Sequence, residues 1–104
     1  MLRILIFCFV LVCAAASDES EPKHNYKPKS GYVPDEKTAI AIAVAIWTPI
    51  YGDNEIKAEK PYQAELRDGI WYVSGSLKAG WRGGVAEAEI MKDDASVIRV
   101  SHGK

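Results

Sequence analysis

Few side chains in this chain have both the type and the company that chemistry requires. It holds two histidines, His24 and His102, and two cysteines, Cys8 and Cys13. A general base needs a substrate site and an orienting carboxylate, and a metal centre needs several ligands at defined spacing. His24 lies in a polar stretch without an apolar period, where ordered partners are not expected. His102 alternates with Ile98 and Val100, which favours a partly buried structural histidine over a base. No His/Cys/Asp cluster has metal-ligand spacing along the chain. Gly80-Trp81-Arg82-Gly83-Gly84 has the glycine content of a phosphate loop but lacks the strand-loop-helix setting and the Lys-Ser/Thr pair. No catalytic, cofactor-binding or metal-binding residue is therefore expected, and the chain reads as non-enzymatic.

Binding residues are easier to nominate. A large aromatic and an arginine on a glycine-rich loop are typical binding anchors, which singles out Trp81 and Arg82. The competing role for Trp81 is to fold back over the end of the core. A second surface follows from strand alternation, which places Gln63, Glu65, Tyr72, Glu87, Glu89 and Arg99 on one sheet face beside Ile70, Val85 and Val97. A solvated sheet face has a similar composition. A cluster of carboxylates around an aromatic also suits a partner with a basic active site. The candidate partner-binding residues are thus Trp81, Arg82, Tyr72, Glu87 and Glu89.

The elements that must position these residues are legible from periodicity. Asp68-Gly69 is a hairpin turn signal, and the run from Ile70 to Leu77 is dense in aromatic and β-branched residues, as a central strand is. Its alternation puts Trp71, Val73, Gly75 and Leu77 on the core face. Before it, Pro61 opens a strand whose Tyr62, Ala64 and Leu66 form the dry side. Val85 to Met91 gives Ala86, Ala88 and Ile90 to the core, and Val97 to Ser101 gives Ile98 and Val100, with Arg99 opposite Glu87 or Glu89. A helix precedes them all. Pro34, Asp35 and Glu36 mark its start, and Ala39, Ile40, Ala43, Ile46, Trp47 and Ile50 recur at helical steps. Pro49 predicts a kink or an end near Thr48, Tyr51-Gly52-Asp53 closes the helix, and residues 54–60 read as a polar connection. The expected fold is α+β: one long helix packed on a curved four-stranded antiparallel meander.

Outside this domain, assigned to residues 32–104, the chain reads as export and tether. A basic start, an apolar run from Ile4 to Val12 and Ala14-Ala15-Ala16 form a secretory signal peptide over residues 1–16. The run is too short to span a membrane. Lipidation of Cys13 is a competing reading, but the place before it holds Val12 instead of a small residue. Cleavage after Ala16 removes both cysteines, so stability must come from packing or from a partner, a homodimer included. With Arg3 removed, 13 basic residues become 12 against 14 acidic ones, a net charge of −2 that does not suggest a nucleic-acid binder. Residues 17–31 are polar and proline-containing, a flexible linker. The location implied is periplasmic or elsewhere in the cell envelope.

The sequence resembles the immunity proteins of polymorphic toxin systems with a nuclear-transport-factor-two-like fold. The residues that carry the resemblance are Tyr51-Gly52, Pro61-Tyr62, Asp68-Gly69-Ile70-Trp71-Tyr72-Val73-Ser74-Gly75, Gly83-Gly84-Val85, Ile90 and Val100-Ser101-His102-Gly103-Lys104. It runs from about Val33 to the end of the chain and implies a protein that binds and neutralises a cognate bacterial toxin. One departure is Asp93-Asp94-Ala95-Ser96, where the family often has a glycine in the turn. Two other functions fit the layout. One helix on four strands is also cystatin-like, which suits an inhibitor of an envelope hydrolase of the protease or lysozyme type. A cone-shaped interior suits a small-ligand binder, and a deep pocket lined by Tyr62 and His102 is its signature. An ionisable cluster inside a cavity is not expected of a passive antidote.

Overall fold

The computed structural model describes residues 24–103. The expected signal peptide, the lipidation alternative at Cys13 and residues 17–23 of the linker lie outside the described residues. The elements run α1 (Glu36–Tyr51), α2 (Asp53–Lys57), β1 (Gln63–Arg67), β2 (Ile70–Ser74), β3 (Ala86–Met91) and β4 (Val97–His102). The strands form one antiparallel sheet in the order β1-β2-β3-β4. Among the described residues no helix is long and apolar enough to cross a membrane.

Helix α1 begins where its charges dictate. The Asp35 carboxylate accepts a 2.8 Å hydrogen bond from the Thr38 amide, capping one of the amides that the first turn leaves without a helical partner. Ala39, Ala43 and Trp47, four residues apart, form the fully buried stripe against the sheet. Alanines at two of the three positions let the helix lie close, and Trp47 fills the remaining depth. Pro49 does not end the helix at Thr48; it continues to Tyr51 and closes at Gly52, where the Tyr51-Gly52-Asp53 run was expected to stop it. Pro49 sits in the last turn, so the bond it cannot donate is the one to Ala45, a residue exposed to solvent. Ile50, expected on the apolar stripe, is 57 % exposed just beyond the proline.

The apolar side of the sheet is built by Trp71 and Val73 of β2 and by Ala86, Ala88 and Ile90 of β3, all buried. Trp71 also donates from Nε1 to the Val33 carbonyl at 2.8 Å, tying the chain entering α1 to the central strand. Three expected core residues face water instead. Leu77 lies past the end of β2, Leu66 is on the edge strand β1, and Ile98 falls where an irregularity between Glu89 and Ile90 shifts the β3-β4 register.

Two turns hold a residue other than glycine at positive φ. Asp68 and Gly69, at φ 50 and 77, make the β1-β2 hairpin with the twist that flanking strands prefer. Ala95, at φ 67, occupies a left-handed conformation in the β3-β4 turn, where a glycine is the unstrained choice. The chain entering the domain is tied to this same turn, where Tyr32 and Val33 donate to the carbonyls of Asp93 and Lys92, and within the expected linker Lys27 pairs with Asp93 at 2.7 Å.

Candidate functional site

The stretch read as a polar connection forms α2 and then places a carboxylate inside the protein. Its sequence, Asp53 to Lys57, has only one apolar residue, Ile56, which is buried; one anchor is too little to show a helical period. Glu59 is three residues after Ile56 and points to the same side. It is the buried charged residue among the described residues, at 7 % exposure. Oε1 of Glu59 accepts from the Ala86 amide at 2.8 Å, and its own carbonyl accepts from the Ser76 amide at 2.7 Å.

The other oxygen of Glu59 meets the end of β4. His102 Nε2 is 2.7 Å from Glu59 Oε2 and 3.6 Å from Glu55 Oε2. Nδ1 lies 2.8 Å from the Gly103 carbonyl oxygen, which can only accept. Both ring nitrogens therefore face acceptors, an arrangement that favours a proton on each. The His102 pKa is raised from its ordinary value, first by the Gly103 carbonyl and then by Glu59 and Glu55, with burial opposing. The Tyr51 ring packs 5.0 Å from the imidazole and closes one side.

Glu55, Glu59 and His102 line a cleft of about 490 Å³ together with Leu77, Trp81, Arg82, Gly83 and Gly84. Spacing along the chain gave no sign of this cluster: Glu59 and His102, 43 residues apart, are brought together by the α2-β1 connection and the last strand, and Glu55 is exposed beside them, so the cluster is open to solvent on one side and not enclosed in a cavity. Tyr62 and His102 do not share a cavity. The Tyr62 hydroxyl donates to the Ile56 carbonyl at 2.8 Å, and its ring packs 6.0 Å from Trp47.

The five nominated contact residues separate into two groups. Trp81 is 58 % exposed at the rim of the cleft, with Lys78 Nζ 5.4 Å from its ring centroid, and Arg82 is exposed beside it. Trp81 therefore does not roof the core. Tyr72, Glu87 and Glu89 lie on the outer sheet face and line a separate depression of about 270 Å³. That face is largely self-satisfied. The Arg67 guanidinium stacks 3.9 Å from the centre of the Tyr72 ring, and Arg99 reaches Glu87 at 3.5 Å and Glu89 at 3.4 Å.

Comparison with known proteins agrees with the architecture. An uncharacterized protein of Escherichia coli (strain K12), YhhH, is 30% identical over 87 residues, which cover 83% of this chain and 66% of that protein. This chain thus spans just under two thirds of that relative's length. No solved structure matches. Residues 38–104 match the family described as NTF2 fold immunity protein, a span that includes most of α1, α2, all four strands and the cleft. A helix on a four-stranded antiparallel sheet, with the match extending over more than half of its length, places this chain in the NTF2 fold immunity protein family.

Proposed function

We propose that this protein is a non-catalytic antidote that is exported to the cell envelope and neutralises a cognate toxin by covering its working surface. Family membership supports toxin neutralisation in general. The observation that carries the choice of surface is Trp81, whose indole is 58 % exposed on a glycine-rich loop at the mouth of the cleft. An exposed tryptophan beside an arginine offers the large apolar area and forked hydrogen bonding that dominate interface energetics. The outer sheet face is the weaker candidate, because its charges already have partners in the free protein. The register irregularity between Glu89 and Ile90 favours a bent sheet, and curvature would set the loop beside the strand ends as one docking edge. The leader-like residues 1–16 support an envelope location.

The test is co-expression with the toxin encoded beside this gene, directed to the envelope. Cells carrying the full-length protein are expected to survive, and cells carrying a form without residues 1–16 are expected to die. Survival independent of export places the antidote elsewhere, and death in both overturns the reading.

A further inference from the structure

We propose that Glu55, Glu59 and His102 form a binding site for a divalent transition-metal ion of the zinc class, reached from the cleft beside Trp81. The inference is independent of toxin binding and rests on the donor set and its supports.

The three donors are chemically suited to such an ion. One imidazole and two carboxylates supply three ligand atoms that lie within 4.8 Å of one another. Imidazole selects for zinc and its neighbours, and two carboxylates balance the charge of a divalent cation. The spacing needs only a small adjustment. Ligands about 2.0–2.2 Å from a tetrahedral ion stand roughly 3.3–3.6 Å apart. His102 Nε2 is already 3.6 Å from Glu55, and its 2.7 Å contact with Glu59 must open by roughly 0.6–0.9 Å, a movement within reach of side-chain torsions.

The supports around the donors are those that hold metal ligands in place. Nδ1 of His102 faces the Gly103 carbonyl at 2.8 Å, which keeps a proton on Nδ1 and orients the ring so that an ion displacing the Nε2 proton meets the Nε2 lone pair between the two carboxylates. Glu59 is held by the Ala86 amide on the oxygen that the ion does not need. A carboxylate at 7 % exposure must be balanced by a cation, and a proton shared with His102 or a metal ion are the two that fit between these atoms. Gly75 contributes by omission: a Cβ there would stand 2.3 Å from Glu59 Oε1, so the carboxylate occupies space that any other residue would fill. Glu55 is exposed and lines the cleft, leaving the ion's fourth position open to water or to a partner side chain.

The experiment is calorimetric titration of zinc chloride into the purified, chelator-treated protein, with cobalt(II) absorption as the readout of coordination geometry. One equivalent is expected to bind with a micromolar or tighter Kd, and cobalt is expected to show the intense visible bands of a tetrahedral site. Glu55→Gln alters an exposed side chain and keeps the fold, yet is expected to weaken binding by about 10-fold or more. His102→Gln should abolish it, and His24→Ala should leave it unchanged. Absence of binding, binding that Glu55→Gln does not weaken, or binding lost in His24→Ala overturns the proposal and leaves the proton as the site's cation.

Discussion

Gly75 and Glu59 occupy one another's space: a Cβ placed on Gly75 would stand 2.3 Å from Glu59 Oε1 and 2.8 Å from its Cβ. The chain just past the end of β2 thus gives up a side chain so that a carboxylate from the α2-β1 connection can reach the Ala86 amide.

Replacing Gly75 with alanine should therefore displace Glu59 and break its contacts with Ala86 and His102. Overpacking of this kind costs about 1–3 kcal/mol. Urea unfolding should show a lower midpoint with an unchanged slope. Wild-type stability in Gly75→Ala would mean that Glu59 can move aside without loss.

The β3-β4 turn offers the opposite experiment. Ala95 has φ 67, which costs an L-residue roughly 1–2 kcal/mol. Glycine removes that strain but carries about 0.5–1 kcal/mol more unfolded-state entropy. The strain is the larger effect, so Ala95→Gly should stabilise the protein by about 0.5–1 kcal/mol, read as a higher urea midpoint. A lower midpoint would show that the turn holds alanine without strain.

Much of the fold was legible because it rests on local periodicity. The four-residue steps of Ala39, Ala43 and Trp47 mark the buried side of α1, and alternation around Trp71, Val73, Ala86, Ala88 and Ile90 sets the sheet's apolar face. The failures come from features that periodicity does not encode. Ile98 lost its core position to a register shift, which one strand's pattern cannot reveal without its partner. Helix α2 has a single buried residue, Ile56, and so leaves no period to detect. The Glu59-His102 pair depends on a tertiary approach between a connection and the last strand, and neither residue has a neighbour in sequence that signals the other. The one clue was glycine at position 75 in an otherwise bulky strand, since glycine inside a strand often marks a close approach.

At the proposed interface, Trp81→Ala should leave the melting temperature unchanged, because the side chain is largely exposed. Its toxin affinity should fall by about 10-fold or more, the loss expected when an aromatic anchor is truncated. Arg82→Ala should weaken binding in the same assay, and Glu87→Gln should not. Equal affinity in the wild type and both loop variants, with a loss in Glu87→Gln, would move the contact to the outer sheet face.

Acid stability should depend on two capping aspartates. Hydrogen bonds from Thr38, its side chain first and its amide second, hold the Asp35 pKa below the ordinary value; Ser96 does the same for Asp94. A depressed folded pKa gives stability that is present above the unfolded value of about 4 and is lost as pH falls through the lower folded value. Thermal unfolding should therefore show a fall in Tm below about pH 4. The double variant Asp35→Asn with Asp94→Asn keeps amide oxygens at both caps but cannot titrate, so its fall should be shallower. Equal steepness in the two proteins would remove these carboxylates from the acid transition.

The central claim is neutralisation by contact, and the stoichiometry of toxin inhibition tests it most directly. Purified protein is titrated against a fixed amount of active cognate toxin at a concentration well above Kd, with residual toxin activity as the readout. Activity should fall linearly and vanish at one equivalent, and intact toxin should be recovered on dissociation. Loss of activity at a small fraction of an equivalent, or toxin that stays inactive after separation, would contradict a passive antidote and indicate turnover.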